Sequence, residues 1–183
     1  FSDFNSKLNI PNREFLAHKI QSKLDTKNIQ GTIVLVNLKD TQRLYRTHGY
    51  QYVELLTMSL VRKLKSLETP RRLLYYAEED IYVYYSKYRM TEKEINDLFR
   101  DIGNVIGRTI YREQIRCNVG ASYLTKTSLR AETCLIRARI ASEFIKDESK
   151  LLNINIYDDE MEKKVLREEN LKKELIDLSF SPE

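Results

Sequence analysis

Residues 73–85 read LLYYAEEDIYVYY, and they contain the clearest strand signal in the sequence. Two runs rich in aromatic and branched residues, 73–76 and 81–85, are separated by only four residues, 77–80. Such runs are typical of β-strands, and so short a connection favours an antiparallel hairpin. We therefore predict a hairpin here, although its turn has neither the Gly nor the Asn expected of a tight one.

Alternation along the second strand of this hairpin divides its side chains between two faces. Tyr82 and Tyr84 fall on one face, and Ile81, Val83 and Tyr85 fall on the other. One interpretation is that one set packs beneath helices while the other forms an amphipathic surface. The alternative is an aromatic surface that recognises a partner, since tyrosine is favoured at interfaces.

The segments around the hairpin alternate between helical and strand-like patterns. Thr91 followed by Glu94 predicts a capping box at the start of one helix. Helices are predicted over residues 12–24, 50–66, 91–110 and 128–144, and strands over residues 31–37, 114–122 and 153–157. This order predicts an α+β, ferredoxin-like sandwich, in which helices flank a mainly antiparallel five-stranded sheet.

The composition and net charge indicate which class of protein this is and which kinds of site it can carry. The 183 residues are 42% hydrophobic and 32% charged, which is typical of one soluble globular domain, and the apolar runs are too short to cross a bilayer. The net charge of +4 is mild, so we expect no DNA partner. Cys117 and Cys134 are expected to be buried free thiols, while His18 and His48 offer little material for a histidine-based metal or catalytic site.

Five short motifs occur in order between residues 5 and 157. They are NSKLNIPNR at 5–13, Asn37 followed twelve residues later by Gly49, AEEDI at 77–81, NVGAS at 118–122 and AETCLIRAR at 131–139. Together they resemble the GGDEF domain, the diguanylate cyclase fold of bacterial cyclic-di-GMP signalling. The resemblance implies a nucleotide-cyclase-like fold and a family reaction that joins two GTP molecules with the help of Mg²⁺.

The metal positions implied by the resemblance have changed. Asn37 stands where the family has an Asp at the end of the first strand, and Lys39 replaces the next Asp. An amide supplies no charge to offset Mg²⁺, and a lysine adds a positive one. Asp80 is the remaining acid that could reach a metal. We therefore predict no metal site and no cofactor, with Mg²⁺ relevant only where nucleotide binding is retained.

The signature turn has also changed. Ala77 and Glu78 replace the two family glycines, and Glu79, Asp80 and Ile81 replace Asp, Glu and Phe. Glycines let the family backbone approach the nucleotide, whereas Glu78 places a negative charge beside its phosphates. We therefore predict a degenerate signature without catalytic residues.

The nucleotide and inhibitory positions are similarly altered. Tyr45 and Glu54 match the guanine-recognising Asn and Asp, and Arg139 matches a phosphate-binding Lys. Tyr45 could stack on a base or pack in the core, and Glu54 could accept from guanine or be a surface residue. The inhibitory R-x-x-D motif corresponds to Glu68 and Arg71, with the charges reversed, so we predict that this site is absent.

The charged tail resembles the connector that joins a GGDEF domain to a downstream EAL phosphodiesterase domain. We therefore divide the chain into a degenerate GGDEF domain, residues 1–157, and a helical connector, residues 158–183. The sequence begins with Phe, so we expect it to be part of a larger GGDEF–EAL protein. The domain itself is expected in the cytoplasm, with membrane anchoring of the intact protein left open.

Four functions compete. The favoured one is an inactive regulatory or protein-interaction module that controls its own EAL domain, forms a homodimer through the connector or binds other signalling proteins. The second is a non-hydrolysing receptor for GTP or another purine nucleotide that uses Glu54, Asp80 and Arg139. The third is an active cyclase with altered metal geometry at Asp80. RNA or polyanion binding through Arg137 with Arg139 and through Arg71 with Arg72 is the least favoured.

Overall fold

The computed structural model describes residues 3–180, apart from the side chain of Phe180. The strands are β1 (Phe4–Asn5), β2 (Ile10–Pro11), β3 (Thr32–Lys39), β4 (Leu73–Glu78), β5 (Ile81–Ser86), β6 (Arg116–Tyr123) and β7 (Leu152–Ile156). The helices are α1 (Arg13–Leu24), α2 (Thr41–His48), α3 (Tyr50–Lys65), α4 (Glu92–Glu113), α5 (Ala131–Glu143) and α6 (Asp159–Phe180).

Five strands form one sheet in the order β4-β5-β3-β6-β7. The pairs β4–β5, β5–β3 and β3–β6 are antiparallel, and only β6–β7 is parallel. The central strand β3 is buried along almost its whole length, which explains its continuous apolar sequence. The predicted α+β sandwich with a mainly antiparallel sheet is confirmed, and its mixed character comes from the β6–β7 edge.

Helices cover both faces of this sheet. One core lies beneath α3 and α4 and contains Tyr82 and Tyr84. The other lies beneath α1 and α5 and contains Ile81, Val83 and Tyr85. The predicted alternation of β5 is therefore confirmed. Since all five side chains are buried, the hypothesis that β5 presents an aromatic recognition surface is wrong.

The central hairpin is tighter than the sequence predicts. Glu78 pairs with Ile81, so the turn consists of Glu79 and Asp80 rather than four residues. Asp80 has φ 66°, in the left-handed region, which Asp tolerates better than most residues. The missing Gly or Asn is thus replaced by an aspartate, and the strands extend to the turn.

Two elements are absent from the sequence-based prediction. The helix α2 carries only two buried residues, Thr41 and Leu44, which is too little for a recognisable apolar periodicity. The β1–β2 hairpin has two residues in each strand. Both matter for function, because they border the site described below.

The remaining helices follow the prediction closely. The capping box of Thr91 and Glu94 is confirmed, and α4 continues three residues beyond the predicted end. Cys117 and Cys134 are buried and free, as expected. Across residues 3–180, no helix is long and apolar enough to cross a membrane.

Candidate functional site

The β4–β5 turn separates two clefts. Glu78 and Glu79 are adjacent in sequence, but their side chains lie on opposite sides, because a bulge in β4 places Glu78 on the same side as Ala77, whereas Glu79 lies in the turn itself. The carboxylate of Glu78 contacts Arg139 of α5, whereas that of Glu79 accepts a hydrogen bond from the Tyr45 hydroxyl of α2 at 3.3 Å. We call these the α5 cleft and the α2–α3 cavity.

Asn37, at the predicted metal position, is buried and hydrogen-bonded within the protein. Its amide nitrogen donates to Ser142 Oγ at 3.2 Å and to Glu143 Oε1 at 3.1 Å. Lys39 also donates to Glu143 Oε1, at 2.7 Å. An amide donor and an ammonium therefore face the one nearby carboxylate, and this arrangement does not fit a hard cation that needs anionic oxygens.

Asp80, the acid that the sequence analysis kept as a possible metal contact, is half-buried. Its Oδ2 accepts a hydrogen bond from the Thr41 hydroxyl at 2.5 Å. Burial raises the pKa of this carboxyl, the Thr41 hydrogen bond opposes that rise, and the neighbouring Glu79 charge adds to it. Within residues 3–180, no group of three or more His, Cys, Asp or Glu side chains converges in a way that could hold a metal ion.

The α5 cleft is closed by an internal ion pair. Arg139 Nη1 donates to Glu78 Oε1 at 2.7 Å, and Arg13 Nη1 lies 3.9 Å from the same oxygen. The remaining space is about 50 Å³. The cation predicted to bind phosphate is therefore already matched by the glutamate that replaces a family glycine.

The α2–α3 cavity stays open, with a volume of about 200 Å³. It brings Tyr45, Glu54 and Asp80 together and places Glu79 beside them, whereas Arg139, predicted to act with Tyr45 and Glu54, lies in the α5 cleft. Tyr45 is partly buried against the α3–α4 core, and its ring lies 6.1 Å from that of Tyr50. Burial, followed by the Glu79 charge, raises the pKa of the Tyr45 hydroxyl. Tyr45 therefore packs on the core, as one alternative states, and also lines the cavity, while its stacking on a base stays a prediction.

Lys7 and Tyr50 complete this cavity, and the sequence analysis did not identify either. Lys7 Nζ lies 2.9 Å from Glu54 Oε1 and donates to the Tyr50 hydroxyl at 3.0 Å. The hydrogen bond to Tyr50, then that to Glu54, raises the pKa of Lys7. The available signal was the position of Lys7 within the motif at residues 5–13.

The inhibitory positions are not brought together as a site. Glu68 Oε2 accepts from the Leu74 backbone amide at 2.8 Å. The Arg71 guanidinium instead lies 4.4 Å from the centre of the Tyr88 ring. Both side chains thus have local structural partners, and Arg139 lies on the other side of the β4–β5 turn from Glu54.

Comparisons with known proteins address the fold. No protein-family model matches the sequence, and no curated protein matches it either. Among solved structures, the chain is similar to the GGDEF domain of TpbB (YfiN) from Pseudomonas aeruginosa, with 10% identity and a TM-score of 0.74 over 89% of this chain and 99% of that one.

Two further structures are similar. The coiled coil and GGDEF domain of DgcB from Caulobacter crescentus, in complex with c-di-GMP, has 12% identity and a TM-score of 0.71 over 84% of this chain and 85% of that one. The diguanylate cyclase SiaD from Pseudomonas aeruginosa, in complex with its activator SiaC, has 11% identity and a TM-score of 0.63 over 85% and 62%. At such low identity, the likeness concerns the backbone arrangement rather than the site. The chain therefore has the fold of a GGDEF domain.

Proposed function

We propose that this domain is a non-catalytic, GGDEF-like regulatory module of cyclic-di-GMP signalling. The observation that carries the proposal is the 2.7 Å ion pair between Glu78 and Arg139. By resemblance, these residues stand at a glycine and a lysine beside the nucleotide phosphates. The Glu78 carboxylate neutralises the cation that a triphosphate needs and repels the triphosphate itself.

The surroundings of Asn37 support the same proposal. In the family reaction, Mg²⁺ offsets charge on the phosphates of GTP. Here the side chains at that position are an amide and the ammonium of Lys39, both bonded to Glu143. Asp80 offers a carboxylate that already accepts a hydrogen bond from Thr41. With an amide and an ammonium at the other two positions, these residues do not fit Mg²⁺.

The exposed connector helix supports a role in interaction. Near the start of α6, Met161 is buried and the Tyr157 hydroxyl donates to Glu162 at 2.5 Å. Farther along, large apolar side chains are exposed, namely Leu166, Leu171, Leu175, Ile176 and Leu178. An exposed apolar stripe gains stability by packing against a partner. We propose that α6 transmits the state of residues 1–157 to a downstream EAL domain, with a homodimer through residues 158–183 as the alternative.

Turnover and binding measurements test the proposal. We expect the purified 183-residue protein to form no cyclic-di-GMP from GTP and Mg²⁺, and to show no calorimetric binding of GTP up to about 1 mM, equivalent to about −4 kcal/mol. A matched triple variant, Asn37→Asp with Lys39→Asp and Glu78→Gly, restores the family residues and should bind GTP more tightly. Cyclic-di-GMP formation by the unmodified protein would overturn the proposal.

A nucleotide receptor without turnover is the second candidate. The α2–α3 cavity favours it, because Tyr45 and Glu54 both line that space at the guanine-recognising positions. Saturable GTP binding that is lost in Glu54→Gln, without product formation, would select this function. Binding of cyclic-di-GMP alone would instead indicate a sensor for the signalling molecule.

A further inference from the structure

The α2–α3 cavity has aromatic walls. The rings of Tyr45, Tyr50, Tyr76 and Tyr82 line it. Tyr45 and Tyr50 are tilted by 31°, and Tyr76 and Tyr82 meet edge-on with centroids 6.2 Å apart. The face of an aromatic ring carries negative charge density and attracts a cation within about 6 Å of its centre. Tyr82 is buried, whereas Tyr45, Tyr50 and Tyr76 keep exposed surface, so these three rings are the ones that a cation could approach.

The charged groups of the same cavity are mostly acidic. Glu54, Glu79 and Asp80 line it, and Lys7 is its one basic residue. Lys7 pairs with Glu54. Within residues 3–180, neither Glu79 nor Asp80 forms an ion pair with a basic side chain. Two negative groups thus lie beside aromatic rings without a counter-charge.

The position of Lys7 illustrates how this surface accommodates an ammonium group. Its Nζ lies 5.6 Å from the centre of the Tyr50 ring, while it contacts the Tyr50 hydroxyl and Glu54. The same combination of ring, hydroxyl and carboxylate recurs elsewhere in the cavity, where the hydroxyl of Tyr45 contacts Glu79. Lys7 thus pairs with Glu54 and leaves Glu79 and Asp80 to another cation.

We propose that the α2–α3 cavity binds a small organic cation, whose ammonium or guanidinium group lies between Tyr45 and the carboxylates of Glu79 and Asp80. The inference rests on the proposed loss of GTP chemistry at this site. A volume of about 200 Å³ suits a small amine better than a whole nucleotide. A metal ion fits less well, because the acids among the described residues do not converge on one point.

Matched ligands test the charge requirement on the complete 183-residue protein. Calorimetry would compare agmatine, which carries a guanidinium and an ammonium, with choline and with 3,3-dimethylbutan-1-ol, the neutral isostere of choline. We expect agmatine and choline to bind saturably and the neutral alcohol not to bind. Equal binding of choline and the alcohol would overturn the proposal, as would the absence of binding by both cations.

Matched variants test the location of the site. Glu79→Gln should raise the Kd of agmatine about fivefold or more, whereas Glu78→Gln, one residue away but facing the α5 cleft, should leave it within about twofold. Tyr45→Phe keeps the ring and should retain binding, while Tyr45→Leu should lose it. Thermal melting of each variant checks that the fold is intact. Equal losses in Glu78→Gln and Glu79→Gln would contradict the assigned site.

A parallel assay separates the two proposals. Formation of cyclic-di-GMP from GTP and Mg²⁺ would refute the non-catalytic role and, with it, the basis of the cation site. Failure of both cations to bind, in a protein that also leaves GTP unchanged, would remove the cation site and leave the non-catalytic role standing.

Discussion

The two sides of the β4–β5 turn balance their charges differently. On the α5 side, Glu78 is matched by Arg139, and Lys39 is matched by Glu143, each at 2.7 Å. On the α2–α3 side, the Tyr45 hydroxyl, at 3.3 Å, is the one hydrogen-bond partner of the Glu79 carboxylate among residues 3–180. The charged side chains on the α5 side thus pair with one another, whereas the α2–α3 side has an open, acidic cavity.

A bulge in β4, followed directly by the turn, produces this difference between adjacent residues. Glu78 lies at the end of β4 and reaches α5, and Glu79 begins the turn and reaches α2. Two glutamates in sequence therefore have opposite effects, since one closes a cleft and the other leaves a cavity charged. Because the two sides share no charged partner in the described part of the chain, substitutions on each side can be tested separately.

The largest loss of stability is expected from a substitution at Gly120, where α5 packs against β6. A Cβ at Gly120 would lie 2.0 Å from the Ala138 carbonyl oxygen and 2.5 Å from the Ser142 backbone nitrogen. Because both are backbone atoms, α5 must move to accommodate it. We expect Gly120→Ala to reduce the free energy of unfolding by about 3 kcal/mol or more, measured by urea denaturation.

Gly103 provides the control on the opposite face of the sheet. A Cβ there meets nothing closer than Leu152 Cδ1 at 4.0 Å, and the residue lies within α4. Gly103→Ala should stabilise the protein by up to about 1 kcal/mol through helix propensity. If both alanine variants shift stability equally, close packing of α5 is not what fixes the α5 cleft.

A smaller difference in stability is expected between substitutions of two neighbouring tyrosines of β5, Tyr84 and Tyr85. The Tyr84 hydroxyl donates to the Leu64 carbonyl at 2.5 Å in the α3–α4 core. The Tyr85 hydroxyl, in the α1–α5 core, is buried without a hydrogen-bond partner among the described residues. Tyr84→Phe should cost about 1 kcal/mol, whereas Tyr85→Phe should be neutral or stabilising. Matching thermal shifts for the two variants would contradict this assignment of partners.

The sequence predicts the fold well because strong periodic signals coincide with buried surface. The alternation of residues 81–85 is readable since each face of β5 enters a core. The helix α2 escapes prediction because it buries only Thr41 and Leu44. Its position depends on tertiary packing, which local propensity does not encode.

The candidate site is only partly predictable for a related reason. The motif order locates Tyr45, Glu54 and Asp80, which the fold brings to one cavity. The partners that decide its chemistry come from distant segments, such as Lys7 opposite Glu54. Likewise, the sequence alone suggests that Glu78 places a negative charge beside phosphates, and only the structure shows that this charge pairs with Arg139. Sequence spacing gives the positions, whereas the pairing of charges requires the three-dimensional arrangement.

The contribution of Asp80 to the stability of the protein is expected to depend on pH. Burial raises the pKa of Asp80 above its ordinary 3.8, so the folded state binds this proton more tightly than the unfolded state. The contribution of Asp80 to stability therefore falls as the pH rises through and above 3.8. Asp80→Asn, which keeps a residue suited to φ 66°, should gain stability relative to the unmodified protein between pH 3 and pH 7, by less than about 1 kcal/mol.

Asp97 supplies a control of opposite sign. Its hydrogen bond from Lys93 lowers the pKa of the exposed carboxyl, so its stabilising contribution is lost as the pH falls through the lowered value. Asp97→Asn should therefore lose stability relative to the unmodified protein as the pH rises from 3 to 7. Urea midpoints at several pH values would check both slopes. Parallel slopes for the two variants would contradict the burial argument for Asp80.

The smallest effect on stability is expected from the ion pair that closes the α5 cleft. Glu78 and Arg139 are both about half exposed, so Glu78→Ala should change the free energy of unfolding by about 0.5 kcal/mol or less. Its effect on ligands should be larger, because Arg139 and Arg13 lose their common anion. We expect the variant to bind inorganic pyrophosphate in a salt-dependent manner that the unmodified protein does not show, measured by calorimetry. If pyrophosphate binds neither protein, the loss of phosphate recognition does not depend on Glu78, and the altered surroundings of Asn37 must account for it.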